Sequence, residues 1–212
     1  MHDRIAAKTG GWGWGAALVL LLAGPEAGIA QPNSDLVNKA NSYQQADELA
    51  VTEFFLAGAA PGTPGTLVRS EVFDGYDLPK EVQATRIVYR SKSQLNKDTL
   101  ASAVVIKPSG TPPAGGWPVL AWAHGTTGVA RSCGPSLSKE LSYYSVAPVK
   151  EGLARGFAVL VVDYSGLGAG TKHEYLWKES NANDTAYAVP AARAAVPELA
   201  AKWVSIGHSQ GG

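Results

Sequence analysis

The stretch KWVSIGHSQGG, residues 202–212, decides how the rest of the chain is read. A short apolar run, 203–206, leads directly into Gly207-His208-Ser209-Gln210-Gly211. Glycine makes up 24 of the 212 residues. A Gly-x-Ser-x-Gly match would then arise by chance in roughly one such chain in five, so the pattern alone is weak. Its place at the end of a predicted buried strand is what gives it weight. A serine on a sharp strand-to-helix bend sits in a strained backbone conformation, and only small neighbours two residues away avoid clashing with it. Gly207 and Gly211 provide that space, and Ser209 becomes a candidate nucleophile.

Working outward, two other apolar runs resemble 203–206. Residues 118–124 (PVLAWAH) and 157–163 (FAVLVVD) are short and nearly continuous. Such runs suit strands buried on both faces, the condition of a parallel sheet. Crossovers are expected from a helix within 138–155 and a second in DTAYAVPAARAAVPELAA, with Asn183 or Asp184 as N-cap. Pro190 interrupts the hydrogen-bond ladder there, so the second helix is expected to kink or to start late. Upstream, TRIVYRS and LASAVVIKP are rich in β-branched residues and flank QLNKDT, which predicts two adjacent antiparallel strands. Residues 35–56 are helical in parts. The fold class is therefore α/β with a mostly parallel sheet.

A serine that attacks a carbonyl needs donors for the oxyanion it creates. One is the backbone N–H after the nucleophile, that of Gln210. The other is expected in the loop after an earlier strand, where His124-Gly125-Thr126-Thr127-Gly128 follows PVLAWA. Glycines let the backbone turn an N–H inward, and a threonine hydroxyl adds a further donor. Gly125, Thr126, Thr127 and Gln210 are therefore the candidate oxyanion residues. The bland reading of HGTTG is an ordinary turn; beside the elbow it loses ground.

SGLGAGTK (165–172) invites a nucleotide-binding reading and fails in detail. Its glycines run G-x-G-x-G rather than G-x-G-x-x-G, and Thr171 precedes Lys172 where a phosphate loop needs Gly-Lys-Ser/Thr. A flexible loop at the strand's carboxyl edge explains it better. Hydrolases of this type place their acid and histidine after the serine, yet only Gln210, Gly211 and Gly212 follow Ser209. His208 points away around the bend, His124 belongs to the oxyanion loop, and His173 reads as a surface or loop residue. The expectation is a chain truncated after the nucleophile elbow, with base and acid beyond residue 212, and inactive alone.

The totals set limits. Eighteen basic and 18 acidic residues balance, which gives no support to a nucleic-acid partner. The opening residues carry Arg4 and Lys8, then the apolar GWGWGAALVLLLAG, then small residues at Gly28 and Ala30. That run spans only about 20 Å as a helix against the ~30 Å core of a bilayer. It reads as an export signal cleaved near Ala30, with a secreted or periplasmic destination. The organisation expected is an export signal over 1–30, an N-terminal extension over 31–65, and the first part of a hydrolase domain over 66–212. Cys133 is the single cysteine, which in an exported protein suggests a missing partner, an intermolecular bridge or a free thiol.

In their order, PGTLVRSE, RIVYRS, AVVIKP, PVLAWAHGTTG, CGPS, VVDYSGLG and SIGHSQGG resemble the secretory lipase family of the α/β-hydrolase superfamily. The resemblance runs from about Phe54 to Gly212. It implies an exported enzyme that cleaves carboxylic esters, triacylglycerols or shorter acyl esters, through a Ser-Asp-His mechanism with no metal or organic cofactor. It matches Ser209 to the nucleophile, Gln210 to the residue lending its N–H, and Thr126 with Gly125 and Thr127 to the oxyanion loop. It also implies structural roles for Asp163 and Tyr164, transient contact with a lipid interface, and a disulfide from Cys133 to a cysteine beyond residue 212. A peptidase of the same superfamily would use the same elbow, and a non-catalytic binding protein could share the fold.

Overall fold

The computed structural model describes residues 33–58 and 61–212; the expected export signal lies outside them. Helix α1 spans Ser34–Asp47 and buries no residue. It covers the first part of the 35–56 stretch expected to be helical in parts. From Ala40 onward the chain forms one compact unit. Within it Glu48 pairs with Ser138, and the Leu49 N–H donates to the Leu137 carbonyl at 2.8 Å.

Among the described residues six strands form one sheet: β1 Leu67–Val72, β2 Val82–Lys92, β3 Asp98–Pro108, β4 Trp117–Ala123, β5 Ala158–Val162 and β6 Leu199–Gly207, in the order β1-β2-β3-β5-β4-β6. The pairs β1–β2, β2–β3 and β3–β5 are antiparallel, whereas β5–β4 and β4–β6 are parallel. Strands β2, β5, β4 and β6 consequently run the same way. The expected hairpin is β2–β3, in continuous register from Val82↔Pro108 to Lys92↔Asp98.

Alternation of side chains explains why β4 and β5 are apolar without interruption. Val119 and Ala121 of β4 and Leu160 of β5 pack on one face, with Ala188 and Ala192 of helix α3 (Lys178–Ala195). Leu120 and Trp122 of β4 and Val159 of β5 pack on the other, with Val149 of helix α2 (Tyr143–Ala154). The crossovers after β4 and β5 thus lie on opposite faces. That arrangement opens a crevice at the carboxyl ends of neighbouring strands, where α/β sheets bind ligands.

Two expectations fail here. Helix α3 neither starts late nor takes Asn183 or Asp184 as its cap: it begins at Lys178 and carries Pro190 inside. A mid-helix proline costs about 3 kcal/mol, and α3 offsets this by burying Ala188, Val189, Ala191 and Ala192 against the sheet. Strand β6 is not buried on both faces. Beyond Leu199 and Ala200 it is exposed, with Trp203 at 43%, Val204 at 47% and Ile206 at 52%. Among the described residues it is the edge strand, with β4 as its one strand neighbour, and α3 covers only its start. Helix α2 falls within the expected 138–155; it begins at Tyr143, after Leu141 and Ser142 with left-handed φ of 60° and 66°.

Candidate active site

Ser209 follows β6 and opens a short 3-10 turn, Ser209–Gly211. Its φ is 53°, left-handed for a residue with a Cβ, and it is exposed. Such a conformation costs about 1–3 kcal/mol and persists only where the surroundings impose it. Here the surroundings do so. A Cβ on Gly211 would overlap the Ala123 carbonyl at the end of β4, and the His208 N–H donates to that same carbonyl at 3.1 Å. The bend is thereby fastened to the neighbouring strand rather than left as a free loop.

The segment after β4 lies against this bend. Gly125 is buried, and a Cβ there would come within 2.7 Å of His208 Nδ1. The sheet thus brings Gly125 and Ser209, distant in sequence, to neighbouring strand ends. Thr126 is exposed, its hydroxyl 3.1 Å from that of Tyr175. Among the described residues the buried Thr127 hydroxyl makes no hydrogen bond, an uncommon state for a buried polar atom. Gln210 is buried, with its side-chain Nε2 3.1 Å from His173 Nε2, and its Oε1 has no partner among those residues. A cleft of about 470 Å³ lies between α3 and β6, lined in part by Ser209, Gln210, Trp203, Asn181 and Thr185.

Three histidines are described in this region, and none hydrogen-bonds the Ser209 hydroxyl among the described residues. His124 is fully buried with Nδ1 2.5 Å from the Gly125 carbonyl oxygen, and burial pushes its pKa down to about 4. It is a neutral structural imidazole, as its place in the loop suggests. His208 stacks on the Tyr144 ring at 5.5 Å. His173 is partly buried, and burial lowers its pKa. It lies in a loop, one of the two readings expected, with Nδ1 3.1 Å from the Ser165 carbonyl and Nε2 meeting Gln210.

The glycine-rich segment 165–172 is not a flexible loop, since residues 165–170 are all buried. Gly166, Gly168 and Gly170 take φ of 86°, 72° and 90°, which only glycine adopts freely. Arg131 donates to the carbonyls of Gly168 and Gly170 at 2.5 and 2.7 Å. The N–H groups of Ser165, Gly166, Leu167, Gly168 and Ala169 are all spent on protein acceptors. A phosphate cradle needs free N–H donors, so the nucleotide reading loses its physical basis.

Two buried carboxylates brace the strand ends. Asp163 accepts from the Ser102 and Ser136 hydroxyls, each at 2.5 Å, and from the Ser136 N–H at 2.8 Å. Burial pushes its pKa up to about 6 against those hydrogen bonds. Asp184, inside α3, accepts from the Ser91 hydroxyl at 2.5 Å and the Ser165 N–H at 2.7 Å. Burial raises it to about 7. Neither touches Ser209 by hydrogen bond, and both tie elements together. Cys133, partly buried, has a free thiol, with its Sγ against Gly128.

No protein-family model matches the chain, and no curated protein matches it either. Solved structures do. A ligand-bound form of the rice cell wall degrading esterase LipA from Xanthomonas oryzae is 22% identical with a TM-score of 0.54, covering 71% of this chain and 44% of that one. The closed state of Candida antarctica lipase A is 17% identical with a TM-score of 0.54, covering 76% of this chain and 39% of that one. The fold is that of an α/β-hydrolase. The chain spans less than half the length of these structures.

Proposed function

We propose that this chain carries the nucleophile and oxyanion donors of a serine hydrolase that cleaves carboxylic esters. One observation supports the reading above all. Ser209 is exposed at φ 53° on a turn fastened to Ala123, beside the segment bearing Gly125, Thr126 and Thr127. Ser209 attacks the ester carbonyl, and the Gln210 N–H and the 125–127 segment receive the developing charge. Water then releases the acyl-enzyme. A general base and its acid complete this mechanism, and none of the three histidines described at the site hydrogen-bonds the Ser209 hydroxyl. The esterase and lipase identities of the structural neighbours favour esters as the substrate class. Export fits the N-terminal sequence, and a disulfide from Cys133 stays part of the same reading.

The test is Ser209→Ala in the full-length gene product. Turnover of p-nitrophenyl esters and covalent labelling by a fluorophosphonate probe are both expected to vanish. Labelling that survives the substitution would refute the assignment.

A further inference from the structure

One short segment touches both halves of this site. His173 meets the Gln210 side chain, and two residues on, Tyr175 meets the Thr126 hydroxyl at 3.1 Å. The chemistry of the first contact is determined by its other end. His173 Nδ1 faces the Ser165 carbonyl, which can only accept, so Nδ1 carries the proton. Nε2 is then a bare lone pair, and the Gln210 Nε2–H donates to it. Ser165 is itself anchored, because its N–H donates to Asp184. A continuous chain runs Asp184, Ser165, His173, Gln210, from the interior of α3 to the residue after Ser209. The ring of His173 also stacks on Tyr164, at 6.3 Å, and lies tilted beside Tyr175, at 6.1 Å.

We propose that His173 is a positioning residue for the oxyanion site, holding the Gln210 side chain so that the Gln210 main-chain N–H stays aimed at the developing charge, while Tyr175 holds Thr126 opposite. The role rests on the hydrolase reading. It differs from a base role, because His173 acts through Gln210 and needs no contact with Ser209. Gln210 is buried, and without the imidazole acceptor both ends of its amide lack a partner. The turn then relaxes toward whatever conformation rehydrates it. A donor displaced in this way weakens binding of the transition state and leaves ground-state ester binding unchanged.

Two measurements on the full-length gene product decide the matter. The first is nitrogen NMR on imidazole-labelled protein, with His173 assigned by its loss in His173→Phe. The expected signature at neutral pH is the Nδ1–H tautomer; an Nε2–H tautomer or a cationic ring overturns the proposal. The second is a double-mutant cycle on p-nitrophenyl ester turnover. His173→Phe keeps a ring against Tyr164, and Gln210→Met keeps the main-chain N–H. Each is expected to lower kcat about tenfold with KM unchanged, less than the ~10²–10³ for deleting a donor outright. The double variant is expected to lose no more than either single one, because the two act as a unit. Additive losses, or a change confined to KM, overturn the proposal. If His173→Phe fails to fold, the assignment passes to His173→Asn and the tautomer decides. A wild-type protein that neither turns over ester nor takes a fluorophosphonate probe overturns the hydrolase reading and this role with it. The wrong tautomer in an active enzyme overturns this role alone.

Discussion

The α-carbon of Gly207 faces the carbonyl of Gly211 so closely across the turn that a Cβ on Gly207 would overlap it. The spacing of the two glycines around Ser209 is thus a packing requirement. Gly207→Ala is expected to destabilise the fold by about 1–3 kcal/mol or more, as overpacking of a well-filled site does. Ester turnover should fall with it. Denaturant unfolding followed by fluorescence checks the first effect; a variant as stable as the parent would show that the bend can open without cost.

Asp163 gathers three donors, the Ser102 and Ser136 hydroxyls and the Ser136 N–H; of these the Ser102 hydroxyl also lies 3.3 Å from the Leu167 carbonyl. Its removal strands buried polar groups at about 1–3 kcal/mol each. Asp163→Ala should therefore rank among the most destabilising single substitutions, although the side chain is remote from any bond-making step. Urea titration measures it, and a loss below about 1 kcal/mol contradicts the bracing role.

The pH dependence of stability follows from Asp184, whose burial raises its pKa from 3.8 to about 7. The folded form holds its proton more tightly than the unfolded chain does. Its contribution is fully present below about pH 4 and is lost as pH rises through about 7. Each unit of separation is worth about 1.4 kcal/mol. Asp163, raised to about 6, adds a slope of the same sign. Asp184→Asn keeps an acceptor for the Ser165 N–H and a polar partner for Ser91, so it should flatten the profile between pH 4 and 7. Thermal melts across that range test it; an unchanged slope removes Asp184 as its source.

The exposed β6 edge offers unpaired backbone groups beside Val204 and Ile206. Long apolar edges pair with other chains. The 212-residue chain is expected to self-associate at micromolar concentration, and Val204→Lys to reduce that association with little change in the melting temperature. Sedimentation velocity distinguishes the outcomes, and equal association in both proteins would place the contact elsewhere.

Much of the fold was legible because the forces that set it act locally. Unbroken apolar runs marked β4 and β5, since a strand covered on both faces has no polar position to spare. The glycines around Ser209 marked the bend, since the steric demand lies within five residues. The same logic misled at β6, where an apolar run was read as burial. An edge strand has the same composition as a central one until its neighbours are known. It misled again at α3, where Asn183 and Asp184 looked like caps. Asp184 instead turns inward to acceptor duty for Ser91 and Ser165.

Amino-acid order alone therefore marked Ser209 as a candidate nucleophile and five segments of the sheet, leaving β1 unread. Backbone sterics and side-chain alternation are properties of adjacent residues, so they can be read without coordinates. Tertiary structure alone showed what surrounds that serine: the Ala123 carbonyl accepting from the His208 N–H, and His173 and Tyr175 meeting Gln210 and Thr126. Those partners are separated by tens of residues along the chain, and no local pattern records which distant atoms a folded sheet will bring within hydrogen-bonding distance.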